Sequence, residues 1–205
     1  VKTTISDIGQ QFVEFLAEQH ISLDENNDGR LESLNSEDNL TDVLRLEFSD
    51  RVNILDKGHN RSFGDLDIEI DGKVYPINIK MVDPDKSGTF NAGSVKVFNY
   101  IFYGGKDTNW SRLAKKIRDE KPTKIDSEYY YLIFYKRSDR KPVFVSLTDL
   151  DESSIVTNPS NPLQLKKNIK TKKRNETEKV DFMLGLLKDI LRKKAAPYLL
   201  IENIV

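Results

Sequence analysis

The chain has 205 residues, 38% hydrophobic and 32% charged, with 32 Lys and Arg against 33 Asp and Glu, a formal net charge of -1 and no cysteine. That length supports a full hydrophobic core, the missing cysteines exclude disulfides and thiolate metal sites, and any nucleic-acid surface must come from segregating the two signs along the chain. With no secretory h-region and no apolar run long enough to span a bilayer, the expectation is a single domain over 1–205, a soluble intracellular protein with no membrane partner.

Ile5, Ile8, Phe12 and Phe15 or Leu16 recur at helical spacing and predict an amphipathic helix over 3–20. An acidic stretch from Ser22 to Asp50 follows. Within it Asp24-Glu25-Asn26-Asn27-Asp28-Gly29 matches the opening half of a calcium loop, but the twelfth position is Asn35 where a bidentate Glu belongs, so a polar turn is the reading taken. A second helix is predicted from Ser36 or Asn39 to about Val52, with Leu40, Val43, Leu44 and Phe48 as its apolar stripe, and a short strand near Val52 to Leu55.

Ser62 to Lys80 reads as a β-hairpin, because two β-branched, alternating runs flank Asp71-Gly72, a dipeptide that tolerates the positive φ angles of a two-residue turn. Counting outward from Ile70 opposite Lys73 sets Asp67 against Pro76, Asp65 against Asn78 and Phe63 against Lys80. Asp65, Asp67, Asn78 and Lys80 then share one face, and Leu66, Ile68, Ile70, Val74, Ile77 and Ile79 are expected on the other. Carboxylate and amide oxygens beside a lysine are the donor set for a hard cation and an anionic substrate. Gly64, before Asp65, is expected to let the backbone approach a ligand closely.

Residues 93–119 read as helix interrupted near Gly104-Gly105, Tyr129 to Tyr135 and Pro142 to Leu147 as strands, and Val180, Met183, Leu184, Leu187 and Leu191 as a final long helix. A helix-bearing crossover between the hairpin and YYYLIFY implies a mixed sheet with a parallel pair. From Lys166 to Arg174 the sequence KKNIKTKKR carries six cations and no acid. His59 and His20 are too far apart for a zinc site, and no Gly-rich loop ends in Lys-Ser/Thr, so no nucleotide cofactor is expected.

Gly64-Asp65, a short hairpin and Asn78-Ile79-Lys80 resemble the Pro-Asp and Asp/Glu-x-Lys motif of the PD-(D/E)xK nuclease superfamily, and within it the type II restriction endonucleases. Asn78 departs from that pattern, since its amide can ligate a cation but adds no charge. The resemblance implies an α/β (α+β) fold, a restriction-endonuclease-like core with a mixed central β-sheet flanked by helices. It implies a homodimeric enzyme that uses Mg²⁺ to hydrolyse double-stranded DNA to 5′-phosphate and 3′-hydroxyl ends, or, given Asn78, an inactive DNA-binding module on the same fold. Asp65, Asn78, the Ile79 carbonyl and supplementary Asp67 are the implied metal ligands, and Lys80 the catalytic cation. The family often adds a helix acid ahead of the hairpin; Glu47 is the candidate, with Asp42 and Asp50 as alternatives and an i+4 pair with Arg51 as the plain reading. DNA contacts are expected from the segment at about 157–174, through polar Asn158, Ser160, Asn161 and Gln164 toward base edges and through Lys166, Lys167, Lys170, Lys172, Lys173 and Arg174 toward phosphates.

Overall fold

Asp71 and Gly72 take φ angles of 52° and 75°, the two positive values that let a two-residue turn follow the natural twist of its strands. That turn fixes the register of everything after it. In the computed structural model, which describes residues 3–18, 29–55, 64–85, 88–136 and 138–202, strand β2 (Leu66–Ile70) pairs antiparallel with β3 (Lys73–Val82), Ile70 opposite Lys73, Asp67 opposite Pro76 and Leu66 opposite Ile77. For 29–36 and 197–202 the description is of helical backbone alone.

The chain divides into two compact units, Val1–Lys86 with Tyr129–Leu147 and Ser87–Glu128 with Thr148–Val205. The first holds a five-stranded mixed sheet in the order β1-β2-β3-β5-β6. β1 (Asn53–Leu55) runs antiparallel to β2, β5 (Tyr130–Tyr135) parallel to β3, and β6 (Val143–Ser146) antiparallel to β5. Helix α1 (Ile5–Glu18) opens with a reciprocal cap, Thr4 Oγ1 accepting from the Asp7 amide at 3.2 Å and Asp7 accepting from the Thr4 amide at 2.8 Å. Helix α2 (Gly29–Phe48) starts well before the expected Ser36 or Asn39. Phe12 and Leu16 of α1 and Leu40, Leu44 and Phe48 of α2 bury against Leu66, Ile68, Ile77 and Ile79. Each such side chain contributes roughly 1.5–3 kcal/mol on leaving water, which locks the hairpin face inward. One assignment to that face is corrected. Val74 stands opposite Glu69, and Tyr75, opposite Ile68, packs on the core in its place.

The second unit contains helices α3 (Val95–Tyr103), α4 (Trp110–Asp119) and α5 (Glu176–Glu202). Gly104, at φ 62°, ends α3. A three-stranded antiparallel sheet, β4 (Thr89–Gly93), β8 (Leu163–Lys166) and β7 (Ile155–Val156), was not expected from the sequence. Charge divides between the units: the first carries 13 Lys and Arg against 20 Asp and Glu, net -7, and the second 19 against 13, net +6. Among the described residues no helix is long and apolar enough to cross a membrane. Asp24 to Asp28, His20 and His59 lie outside the described residues.

Candidate metal centre

β3 is twice the length of β2, so its second half overhangs the hairpin partner and must satisfy its peptide groups elsewhere. Side chains do this. The Asp65 amide donates to the Ile77 carbonyl at 3.0 Å, continuing the ladder by one residue, and Asp65 Oδ2 then accepts from the Ile79 amide at 2.8 Å. In an extended strand a residue's N–H and C=O leave on the same side, so the Ile79 carbonyl points to the side on which Asp65 sits. Asn78 and Lys80 project from the same face of β3. Asn78 Oδ1 is buried, and among the described residues no hydrogen-bond donor reaches it.

The fourth member comes from α2. Glu37 places both carboxylate oxygens 3.5 Å from Lys80 Nζ, and each side chain is only 18% exposed. Burial raises the Glu37 pKa above the ordinary Glu range, and the Asp65 charge raises it further. The Lys80 ammonium and a hydrogen bond from the Met81 backbone act in the opposite direction. Glu37 shares the buried stripe of α2, since 37, 40, 44 and 48 recur at helical spacing. An acid on an otherwise apolar stripe was the available signal, hidden because the helix was expected to begin at about this residue.

Glu47 is not part of this group. Ten residues farther along α2, and so about 15 Å along the axis, it is exposed and paired with Arg51 at 3.0 Å, the plain i+4 alternative. Asp42 and Asp50 are also exposed. Asp67 is buried, with Oδ1 accepting from the Gly64 amide at 3.0 Å, so it ties down the approach to the hairpin. Gly64 comes close to a neighbouring strand: a Cβ there would lie 2.5 Å from the Ile77 carbonyl oxygen.

Glu37, Asp65, Asn78 and the Ile79 carbonyl are all oxygen donors, the set a hard divalent cation prefers. Among the described residues no cluster of three or more His, Cys, Asp or Glu is placed to hold a metal, and this group supplies two such side chains, Glu37 and Asp65, with an amide. The buried Asn78 oxygen, unpartnered among the described residues, fits a cation well, since a bare acceptor in that position costs about 1–3 kcal/mol if nothing binds it.

In the second unit the polar loop before β8 is internally bonded. Asn158 Nδ2 donates to Gln164 Oε1 at 2.8 Å, Thr89 Oγ1 donates to the same oxygen at 2.9 Å, and Asn158 Oδ1 accepts from the Asn161 amide at 2.6 Å and from Ser160 Oγ at 3.2 Å. Asn158 and Gln164 therefore hold the loop in shape, and Ser160 and Asn161 stand exposed at its tip. Lys166, Lys170, Lys172 and Lys173 are exposed and Lys167 is half-buried. Lys172 lies 3.6 Å from Glu152. Arg174 corrects the expected phosphate contact: its side chain is 2% exposed, and Nη1 donates to the carbonyls of Leu150 at 2.8 Å, Thr148 at 3.0 Å and Lys172 at 3.3 Å. Its guanidinium also lies 3.8 Å from the Phe182 ring centroid. Such a residue fastens the basic segment to α5 and is not presented to solvent.

No protein-family model matches the chain and no curated protein matches its sequence, so the functional reading rests on this geometry.

Proposed function

We propose that the chain is a Mg²⁺-dependent, sequence-specific endonuclease of double-stranded DNA, a type II restriction enzyme on a PD-(D/E)xK scaffold that leaves 5′-phosphate and 3′-hydroxyl ends. In this reading it works as a homodimer in the prokaryotic cytoplasm. The observation that carries the proposal is the buried Oδ1 of Asn78, without a hydrogen-bond partner among the described residues, in a group with Asp65, Glu37 and Lys80. The element order supports it: helices, the antiparallel run β1-β2-β3, a helical crossover, then β5 parallel to β3 is the order that the resemblance implies.

Asp65, Glu37, Asn78 and the Ile79 carbonyl would hold Mg²⁺, which when bound screens a phosphate's charge and acidifies water. The protein's own contribution is orientation and charge. The Ile79 amide fixes the Asp65 carboxylate, Glu37 keeps the Lys80 ammonium at the site, and Lys80 stabilises negative charge developing on a phosphodiester. Exposed lysines of the 157–174 segment neutralise phosphates.

The test is incubation of plasmid DNA with the purified protein and an Asp65→Ala variant, in Mg²⁺ and in EDTA. Discrete fragments from the wild type in Mg²⁺ alone are expected. A second reading, an inactive DNA-binding module, is favoured by the amide at position 78. Binding without cleavage under every divalent cation would replace the first reading with the second.

A further inference from the structure

Helices α4 and α5 border an open groove of about 650 Å³. Its floor includes Leu184, Leu187 and Leu191, consecutive on one face of α5. Its rim carries Arg118 and Lys121 on one side and Lys188 and Arg192 on the other, and no acidic side chain lines it. An apolar floor with cations along both edges suits a helix that presents an apolar residue flanked by acids.

The chain itself displays such a face. Leu46 of α2 is 83% exposed, the one exposed large hydrophobic side chain among the described residues. An isolated exposed leucine needs no explanation. Its setting does: Asp42 and Asp38 precede it at intervals of four, on the side of α2 opposite the buried Leu40, Leu44 and Phe48. On α5, Leu184, Lys188 and Arg192 also recur at intervals of four. Run antiparallel, the two triplets match residue for residue, leucine with leucine and acid with cation twice, at a repeat of about 6 Å along both axes.

We propose that the groove receives the exposed face of α2 from a second copy of the chain, with Leu46 among the groove leucines and Asp42 and Asp38 against Lys188 and Arg192. The opposite net charges of the units bearing the two surfaces, -7 and +6, favour the encounter and make it salt-sensitive. The inference rests on the two surfaces and not on the nuclease reading. A monomer that cuts plasmid overturns it and removes the homodimer from that reading, but leaves its Mg²⁺-dependent cleavage intact.

Sedimentation velocity on the full chain over a wide concentration range, at low and high salt, tests it with two charge-reversed variants, Asp38→Lys with Asp42→Lys and Lys188→Glu with Arg192→Glu. The wild type is expected to self-associate, less at high salt, and each variant alone to do so about tenfold more weakly or worse. An equimolar mixture of the two variants is expected to associate again, because each then offers the other a complementary surface. Leu46→Asp should also weaken the wild-type association. A wild type that stays monomeric, variants that associate as tightly as the wild type, or a mixture that does not recover overturns the proposal.

Discussion

The Lys80 ammonium lies 3.5 Å from both carboxylate oxygens of Glu37, a residue 43 positions earlier on a different element. This pair joins the middle of α2 to the overhang of β3 and makes Glu37 the helix acid of the candidate centre. Glu37→Gln is therefore expected to weaken Mg²⁺ binding by about tenfold or more. Glu47→Gln should leave it unchanged and cost only a few tenths of a kcal/mol of stability, the worth of its i+4 pair. Calorimetric titration of both variants checks this, and the opposite ranking would return the role to Glu47.

Glu37 also gives stability a pH dependence of definite sign. Its pKa is raised in the folded protein, chiefly by burial, so the folded state holds the proton more tightly than the unfolded chain. Its contribution is complete below the ordinary Glu value and is lost as pH rises through the interval up to the raised folded value. Urea midpoints of wild type and Glu37→Gln, measured from pH 4 to pH 8 without metal, should diverge with rising pH in favour of the variant. Parallel curves would remove the assigned burial cost.

Gly64 stands where the chain crosses close to β3, its absent Cβ leaving room for the Ile77 backbone at 2.5 Å from oxygen and 2.7 Å from nitrogen. Gly64→Ala must push two backbones apart and displace the neighbouring Asp65. Thermal denaturation should register a loss of about 1–3 kcal/mol, the usual scale for overpacking, together with weaker Mg²⁺ binding. A variant as stable as the wild type would mean that the Ile77 backbone yields to a methyl group without cost.

Arg174 and its lysine neighbours should separate cleanly. Removing a guanidinium that is 2% exposed strips the part-buried carbonyls of Thr148 and Leu150 of their donor and breaks its 2.9 Å pair with Glu152, so Arg174→Ala should cost about 3 kcal/mol or more in stability. Lys166→Ala, Lys170→Ala and Lys173→Ala should leave stability near wild type. If the segment binds DNA, each should reduce the salt slope of binding by about 0.9. Chemical denaturation and filter binding across salt concentrations read the two effects independently.

The hairpin and its register were legible because Asp71-Gly72 admits one turn geometry, and every cross-strand partner then follows by counting. The parallel β3–β5 pair followed from the helices between them. The second sheet was not legible. β4 contains Asn91 and Gly93, weak strand formers, and it pairs with β8 more than 70 residues later, so nothing local announces it. At the candidate centre, Asp65, Asn78 and Lys80 were found by alternation within one hairpin. Glu37 depends on where α2 begins, and helix starts without a clear cap are poorly marked in sequence.

Asn78 offers the most discriminating change. Among the described residues its buried Oδ1 is an acceptor without a donor, and Asn78→Asp puts a near-isosteric carboxylate on the face of β3 that carries Lys80, in the group that holds Asp65 and Glu37. Without metal, three mutually repelling acids served by one lysine should lower stability and raise the proton affinity of the group. With Mg²⁺ the added charge should tighten binding, because affinity for a hard cation grows with the number of anionic oxygens. The expected signature is a lower melting temperature than wild type in EDTA and a larger upward shift on adding Mg²⁺. If Asn78 is only a structural amide, the variant loses stability and Mg²⁺ does not restore it, an outcome that would remove Asn78 from the donor set.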